Sequence, residues 1–103
     1  MLEITPKPGL LAESVQGRDK GKLYVIVSVA DKNFALVSDG ETRPLNKQKK
    51  KRIKHLKLTG TVFEAIEAKL TGADKKKLYD TEIKRAIKLY NAQLTGRTKK
   101  PNA

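Results

Sequence analysis

Basic side chains are the residues of this sequence whose type and spacing most clearly indicate a chemical role. Positions 47–57 contain seven lysines and arginines and no acidic residue, whereas positions 1–46 contain six basic and six acidic residues. The 103 residues together have a formal net charge of +12. A neutral segment followed by so dense a basic cluster indicates a polyanionic partner, most simply a nucleic acid. The alternative is a lysine run that is only solvated and keeps the protein soluble.

The sequence contains no set of side chains that would form a catalytic or metal centre. It has no cysteine, which excludes disulfides, thiolate nucleophiles and cysteine ligands for zinc. Its one histidine, His55, cannot form a catalytic triad by itself. We therefore predict that the protein is not an enzyme and uses no cofactor, no metal and no small-molecule substrate.

The apolar segments do not indicate a membrane partner. The longest uncharged apolar run, residues 23–30, is too short to cross a bilayer. Glu3, Pro6 and Pro8 interrupt any apolar stretch near the N-terminus, so no signal peptide is predicted. We therefore expect a cytoplasmic protein.

The first half of the chain has the pattern of short antiparallel strands. Residues 23–29 are β-branched and aromatic, and residues 34–37 follow them after a polar turn. Asp39-Gly40 is a strong hairpin signal, after which Pro44 would place the next strand at an edge of the sheet. The five predicted strands are residues 9–15, 23–29, 34–37, 41–45 and 53–58. Five short antiparallel strands predict a small barrel.

The last predicted strand has an imperfect alternation of apolar residues. Ile53 occupies an odd position, whereas Leu56 and Leu58 occupy even ones. Since the side chains of a strand alternate between its two faces, this strand needs a bulge or must start later.

The second half changes to the period of a helix. Val62, Ile66 and Leu70 recur every four residues, which predicts a short amphipathic helix that ends at Gly72. Thr61 and Glu64 have the spacing of a capping box at its start.

A second apolar stripe predicts another helix, formed by Ile83, Ile87, Tyr90 and Leu94. Asp80 is a suitable N-cap for this helix and Gly96 a suitable residue to end it. In an alternative register Tyr79 is the N-cap, and Leu78 and Ile83 form a hydrophobic staple.

This change of period divides the chain into three predicted parts. They are a barrel over residues 1–60, a two-helix extension over 61–95 and a disordered basic tail over 96–103. The helices either pack on the barrel and complete its core or form an arm whose basic face follows RNA or a protein. Tyr24 and Phe34 are predicted to lie in the core, so we expect RNA to be recognised by its backbone and shape.

Four features around the first two predicted strands together resemble a KOW motif. That motif is a strand, a glycine-centred loop and a second strand, and it occurs in ribosomal proteins and transcription elongation factors. The matching features are Gly9, Ser14, the loop Gly17-Arg18-Asp19-Lys20-Gly21 and Val25-Ile26-Val27. Gly21 matches the glycine that defines the KOW loop.

The resemblance extends to the ribosomal protein fourteen-e branch of the KOW proteins. Residues 34–37, Asp39-Gly40 and residues 51–56 match the strand, acidic-glycine turn, basic stretch and His-Leu pair of that branch. The chain is similar over residues 8–58 to its small bacterial relatives, and residues 82–87 resemble their closing helix. This resemblance implies an SH3-like barrel that binds RNA, most of all ribosomal RNA, as a ribosomal or ribosome-associated component with ribosomal proteins as further partners.

The candidate RNA contacts are the basic residues of the predicted loop and of the 47–57 cluster. They are Arg18, Lys20, Lys22, Lys47, Lys49, Lys50, Lys51, Arg52, Lys54, His55 and Lys57. Contacts between such side chains and phosphates give affinity without sequence information. Gly17, Asp19 and Gly21 are predicted to order the loop, Asp19 through an Asx-type turn.

Two other functions remain compatible with the sequence. KOW barrels of elongation factors also contact polymerase, so the chain could be a protein-interaction module of the transcription or translation machinery. It could also bind DNA without specificity, because charge alone does not distinguish RNA from DNA. The compact lysine cluster beside a barrel favours RNA over a protein partner.

Overall fold

Five antiparallel strands and two helices make up residues 4–94, the part of the chain that the computed structural model describes. The strands are β1 (Leu10–Ser14), β2 (Leu23–Val29), β3 (Phe34–Ser38), β4 (Lys49–Arg52) and β5 (Leu56–Val62). The helices are α1 (Glu64–Thr71) and α2 (Asp80–Leu94). The strands form one sheet in the order β4-β3-β2-β1-β5. This arrangement confirms the predicted antiparallel sheet of five strands followed by two helices.

Each face of the sheet has its own apolar core. The buried residues of the first core come from four strands: Leu10, Ala12, Tyr24, Ile26, Ala35, Val37 and Leu56. The second core lies on the opposite face and joins the sheet to both helices: Leu11, Leu23, Val25, Ile66 and Ile83. Consecutive residues of β1 and β2 alternate between the two cores because successive side chains of a strand point to opposite faces. The helices therefore pack on the sheet.

The fourth strand lies further along the chain than the sequence predicts. The prediction of a strand at residues 41–45 is wrong, and β4 consists instead of four basic residues, Lys49–Arg52, paired with β3. The carboxylate of Asp39 accepts hydrogen bonds from the backbone N–H groups of Glu41 and Arg43, both at 2.8 Å. A side-chain acceptor thus takes backbone donors that a strand would use to pair with its neighbour.

The fifth strand starts later than predicted and continues further. Residues Ile53–His55 form a single turn of 3-10 helix, and β5 runs from Leu56 to Val62. Leu56 and Leu58 both contact the first core, so the strand begins where the apolar alternation becomes regular.

The N-terminus of α1 differs from the prediction, whereas its C-terminus agrees with it. The predicted capping box is wrong, because Thr61 lies in β5 and its N–H donates to the hydroxyl of Thr59 at 3.2 Å. Phe63 precedes α1 and provides no side-chain cap. Gly72 ends the helix with a φ of 88°, as predicted.

Of the two predicted registers for α2, the structure has the second. The helix begins at Asp80, so Tyr79 occupies the N-cap position. The N–H of Tyr79 donates to the carboxylate of Glu82 at 3.0 Å, which is one half of a capping box. Leu78 and Ile83 both contact the second core, as the predicted staple requires.

Two contacts fix the start of α2 against the loop that precedes β4. The carboxylate of Asp80 accepts a hydrogen bond from the N–H of Leu45 at 2.6 Å. Gly40 lies directly beneath the first turn of α2, where a Cβ would come within 2.9 Å of the backbone nitrogen of Lys84. The predicted helix end at Gly96 and the basic tail over residues 96–103 lie outside the described residues.

Candidate nucleic-acid interface

The loop between β1 and β2 is a tight turn held by backbone hydrogen bonds. The N–H of Gly21 donates to the carbonyl of Ser14 at 2.7 Å, and the N–H of Lys22 donates to the carbonyl of Asp19 at 2.9 Å. Gly17 and Gly21 have φ angles of 89° and 91°, a conformation that favours glycine. A Cβ at Gly21 would meet nothing within 4 Å, so the backbone conformation rather than a close approach requires glycine there.

Asp19 is the centre of a polar network that joins this loop to three strands. Its Oδ1 accepts hydrogen bonds from the hydroxyl of Ser14 and from the ammonium of Lys51, both at 2.8 Å. Its Oδ2 accepts from the hydroxyl of Tyr24 at 2.8 Å and from the ammonium of Lys49 at 3.0 Å. Four donors therefore fix the carboxylate, and Asp19 orders the loop through these bonds rather than through the expected Asx-type turn.

The network determines the charge states of its members. Burial opposes the ionisation of Asp19, but the hydrogen bonds from Lys51, Lys49 and the two hydroxyls outweigh it and hold the pKa of Asp19 well below its usual range. Burial, and then the hydrogen bond to Asp19, raise the pKa of the Tyr24 hydroxyl. At neutral pH the network therefore contains a charged carboxylate and a protonated phenol.

Three of the predicted RNA contacts are engaged within the protein. Lys51 is 8% exposed, and besides Asp19 its ammonium reaches the carbonyl of Gln16 at 3.0 Å. Lys49 is 30% exposed and shares Asp19 with Lys51. Lys22 pairs with the buried carboxylate of Asp39 at 2.7 Å.

Asp39 is a second anchoring carboxylate. Its burial opposes ionisation, but hydrogen bonds from Lys22, from the hydroxyl of Thr42 and from two backbone N–H groups outweigh that burial and lower its pKa. Lys22 also donates to the hydroxyl of Thr42. The loop that follows β3 thus binds the ammonium of Lys22 through Asp39 and Thr42.

The other two residues of β4 point to the side of the strand opposite Lys49 and Lys51, where their side chains are exposed. Lys50 and Arg52 alternate with Lys49 and Lys51 along the strand, and both are exposed. Arg52 pairs across the ladder with Phe34 of β3. The charged groups of Lys50 and Arg52 lie 4.8 and 4.9 Å from the centre of the Phe34 ring. Phe34 is only half-buried and belongs to neither core, so the prediction that it is a core residue is wrong.

The end of β4 contributes to a basic cleft of about 250 Å³. It is lined by Lys32, Asn33, Arg52, Ile53 and Lys54. A hydrogen bond of 2.8 Å from the N–H of Ile53 to the carbonyl of Asn33 holds its two sides together. Sequence reasoning missed Lys32 and Asn33, because only the pairing of β3 with β4 brings this turn close to the basic cluster.

The remaining predicted contacts lie at several places on the surface. Arg18 and Lys20 are exposed on the loop between β1 and β2, whereas Lys47, Lys54 and Lys57 are exposed around β4 and β5. His55 is half-buried in the turn before β5. No ion pair involves any of these side chains within residues 4–94. Cations without acidic partners are the groups that can neutralise phosphates.

The described part of the chain contains no cluster of three or more histidine, cysteine or acidic residues placed to hold a metal ion. None of the helices within residues 4–94 is long and apolar enough to cross a membrane. The sequence matches no protein-family model, and a search of curated proteins found no similar sequence.

Proposed function

We propose that this protein is a non-enzymatic RNA-binding protein of the KOW type that binds ribosomal RNA as a ribosomal or ribosome-associated component. The observation that carries the proposal is the division of the basic cluster into two sets. Lys49 and Lys51 are held by Asp19, whereas the other five cations of the cluster are exposed without an acidic partner among the described residues. Three of them, Lys50, Arg52 and Lys54, form the β4 basic surface together with Lys32 of the turn before β3.

The position of these charges supports binding to a polyanion rather than a role in solubility alone. Lys50 and Arg52 are held against one aromatic ring, and Arg52 shares a cleft with Lys32 and Lys54. Like charges repel one another in the free protein, and a phosphate placed between them would relieve that repulsion. A lysine run that served only solubility would not require cations to be gathered on one face.

The KOW identity and the barrel are supported by the first two strands and by the first core. The glycine loop between β1 and β2 has the position that the resemblance implies, and its glycines Gly17 and Gly21 both have positive φ angles. Within residues 4–94, no residue of α1 or α2 belongs to the first core, although its members are almost completely buried. A core formed by strand residues in this way is what a barrel would have, and it supports that part of the proposal.

Matched double variants test the role of the β4 basic surface. We expect Lys50→Gln with Arg52→Gln to reduce the slope of log affinity against log salt by about 1.5, since each lost phosphate contact contributes roughly 0.7–0.9. Lys84→Gln with Arg85→Gln removes the same charge from exposed positions of α2 and should leave the slope nearly unchanged. Equal effects of the two variants would contradict the proposed surface.

The identity of the RNA requires an experiment in cells. Crosslinking of the full chain, followed by sequencing of the bound nucleic acid, should recover ribosomal RNA. The protein should also sediment with ribosomal subunits at low salt and be released as salt is raised. Recovery of DNA, or of proteins without nucleic acid, would support one of the two alternative functions instead.

A further inference from the structure

Two cations of the β4 basic surface lie against the ring of Phe34, and the environment of this ring differs from that of a core residue. It lies at the start of β3, opposite Arg52, directly after the turn that contains Lys32 and Asn33. The ring is partly exposed and contacts the charged groups of Lys50 and Arg52 instead of an apolar core. Stability of the core therefore does not explain an aromatic residue at this position.

The adjacent cleft supplies polar groups that the described protein does not use. The carboxylate of Asp31 fixes the turn by accepting the N–H groups of Asn33 and Phe34 at 2.7 and 2.9 Å. The side-chain amide of Asn33 makes no hydrogen bond with any residue in 4–94, and it lines the cleft together with Arg52. An amide can both donate to and accept from the edge of a nucleobase.

We propose that Phe34, Arg52 and Asn33 form a binding site for one unpaired base of a single-stranded RNA segment. This inference rests on the proposed function, because it assumes that RNA approaches the β4 basic surface. The base stacks on the ring of Phe34 or on the guanidinium of Arg52, and the amide of Asn33 contacts its edge. Lys32 and Lys54, on the walls of the cleft, contact the phosphates that flank it.

The two cations do not block the ring. Lysine is a point charge on a flexible stem, so Lys50 can move from the ring to a phosphate when a base arrives. The guanidinium of arginine stacks on bases as well as on aromatic rings, so Arg52 can remain in place. A double-stranded RNA cannot use this site, because its bases are already stacked within the helix.

Two RNA molecules of equal length distinguish stacking from phosphate binding. One is a single strand of about 12 nucleotides that contains 2-aminopurine, within the site size of single-strand-binding proteins, and the other is its duplex. In the complex with the parent protein, stacking on Phe34 should quench the fluorescence of 2-aminopurine. We expect Phe34→Leu to abolish this quenching and to weaken binding of the single strand about tenfold. The affinity for the duplex should change less than about twofold. The salt dependence should not change, since no cation is removed.

Tyr79 provides a matched control, and a tryptophan variant guards against a folding defect. Tyr79 is an exposed aromatic residue with the ammonium of Lys77 5.3 Å from its ring, but it lies at the start of α2, so Tyr79→Leu should change neither affinity. Phe34→Trp preserves a stacking surface and should retain single-strand binding. Equal losses for both RNAs in Phe34→Leu, or loss of single-strand binding in Phe34→Trp when its melting temperature is unchanged, would overturn the site. Failure of the parent protein to bind either RNA would overturn the proposed function itself.

Discussion

At the scale of single residues, Asp19 binds the two lysines of β4 that are not available to a partner. Lys51, which has only 8% of its side chain exposed, requires a counter-charge, and Asp19 supplies it at 2.8 Å. The same carboxylate accepts the hydroxyls of Ser14 and Tyr24. The carboxylate thereby links the loop to β4 and has a structural role. The other two cations of β4, Lys50 and Arg52, have no acidic partner among the described residues and can contact phosphates.

Replacement of Asp19 by asparagine should reduce stability in a pH-dependent way. Because Lys51 would be left buried without its counter-charge, we expect Asp19→Asn to lower the free energy of unfolding by about 3 kcal/mol at neutral pH. The pKa of Asp19 is lower in the folded than in the unfolded state. The ionised carboxylate therefore makes its full contribution to the free energy of unfolding above about pH 4, and this contribution is lost progressively as the pH falls below that value. Urea unfolding between about pH 7 and pH 2 should show the parent and the variant converge.

The exposed carboxylate of Glu41 serves as the control for this experiment. It is 63% exposed and lies 3.5 Å from Lys84, so Glu41→Gln should change the free energy of unfolding by less than about 0.5 kcal/mol. A difference between Asp19→Asn and the parent that stays constant down to pH 2 or so would show that ionisation of Asp19 does not stabilise the fold.

Single residues were the hardest feature to predict from the sequence. The charge count of the 47–57 cluster does not reveal that Lys49 and Lys51 are bound by Asp19 whereas Lys50 is exposed, because that difference depends on which face of β4 is buried. The sequence predicts a role for Asp19 only within its loop, since its partners Lys49 and Lys51 are 30 and 32 residues away in the chain. Long-range ion pairs leave no periodic signal.

At the scale of elements, β2 could be predicted from its β-branched and aromatic residues, and β3 from the apolar run that follows it after a polar turn. β4 could not, since lysine has a low strand propensity, and pairing with β3 together with the carboxylate of Asp19 overrides that propensity. The false strand at 41–45 has the opposite cause, because Asp39 captures its backbone donors locally. For the start of α2 the sequence predicts two registers, with either Tyr79 or Asp80 as the N-cap, and it does not distinguish between them.

Two glycines test how the loops position these elements. Gly21 and Gly40 both have a positive φ, of 91° and 75°, but only Gly40 lies against the backbone of another element. Gly21→Ala should therefore cost about 1 kcal/mol of strain. Gly40→Ala adds a collision with the first turn of α2 and should cost about 3 kcal/mol in total. Thermal unfolding of the two variants side by side measures the difference, and equal costs would contradict the packing of α2 on this loop.

At the scale of the whole molecule, the second core makes the helices part of the folding unit of the sheet. Leu11, Leu23 and Val25 are at most 9% exposed, and they are covered by Ile66 of α1 and Ile83 of α2. A fragment that lacked both helices would expose these side chains to water. The predicted division at residue 60 therefore separates segments that bury the same apolar surface. The apolar stripe of α2 predicts from the sequence that the helix packs on something, but it does not identify the sheet as the surface on which it packs.

Truncation of one buried side chain of α2 should accordingly lower the stability of the entire protein. Ile83 is fully buried between the helix and the sheet, so Ile83→Ala should lower the free energy of unfolding by about 2–5 kcal/mol. Because both cores share β1 and β2, the variant should still unfold in a single cooperative transition. The free energy of opening measured from the slowest-exchanging amide protons of β1 should fall by the same amount as the free energy of unfolding. Leu89→Ala, at a position 56% exposed on the same helix, should cost less than about 1 kcal/mol. Faster exchange confined to α2 would instead show that the helices unfold independently of the sheet that carries the β4 basic surface.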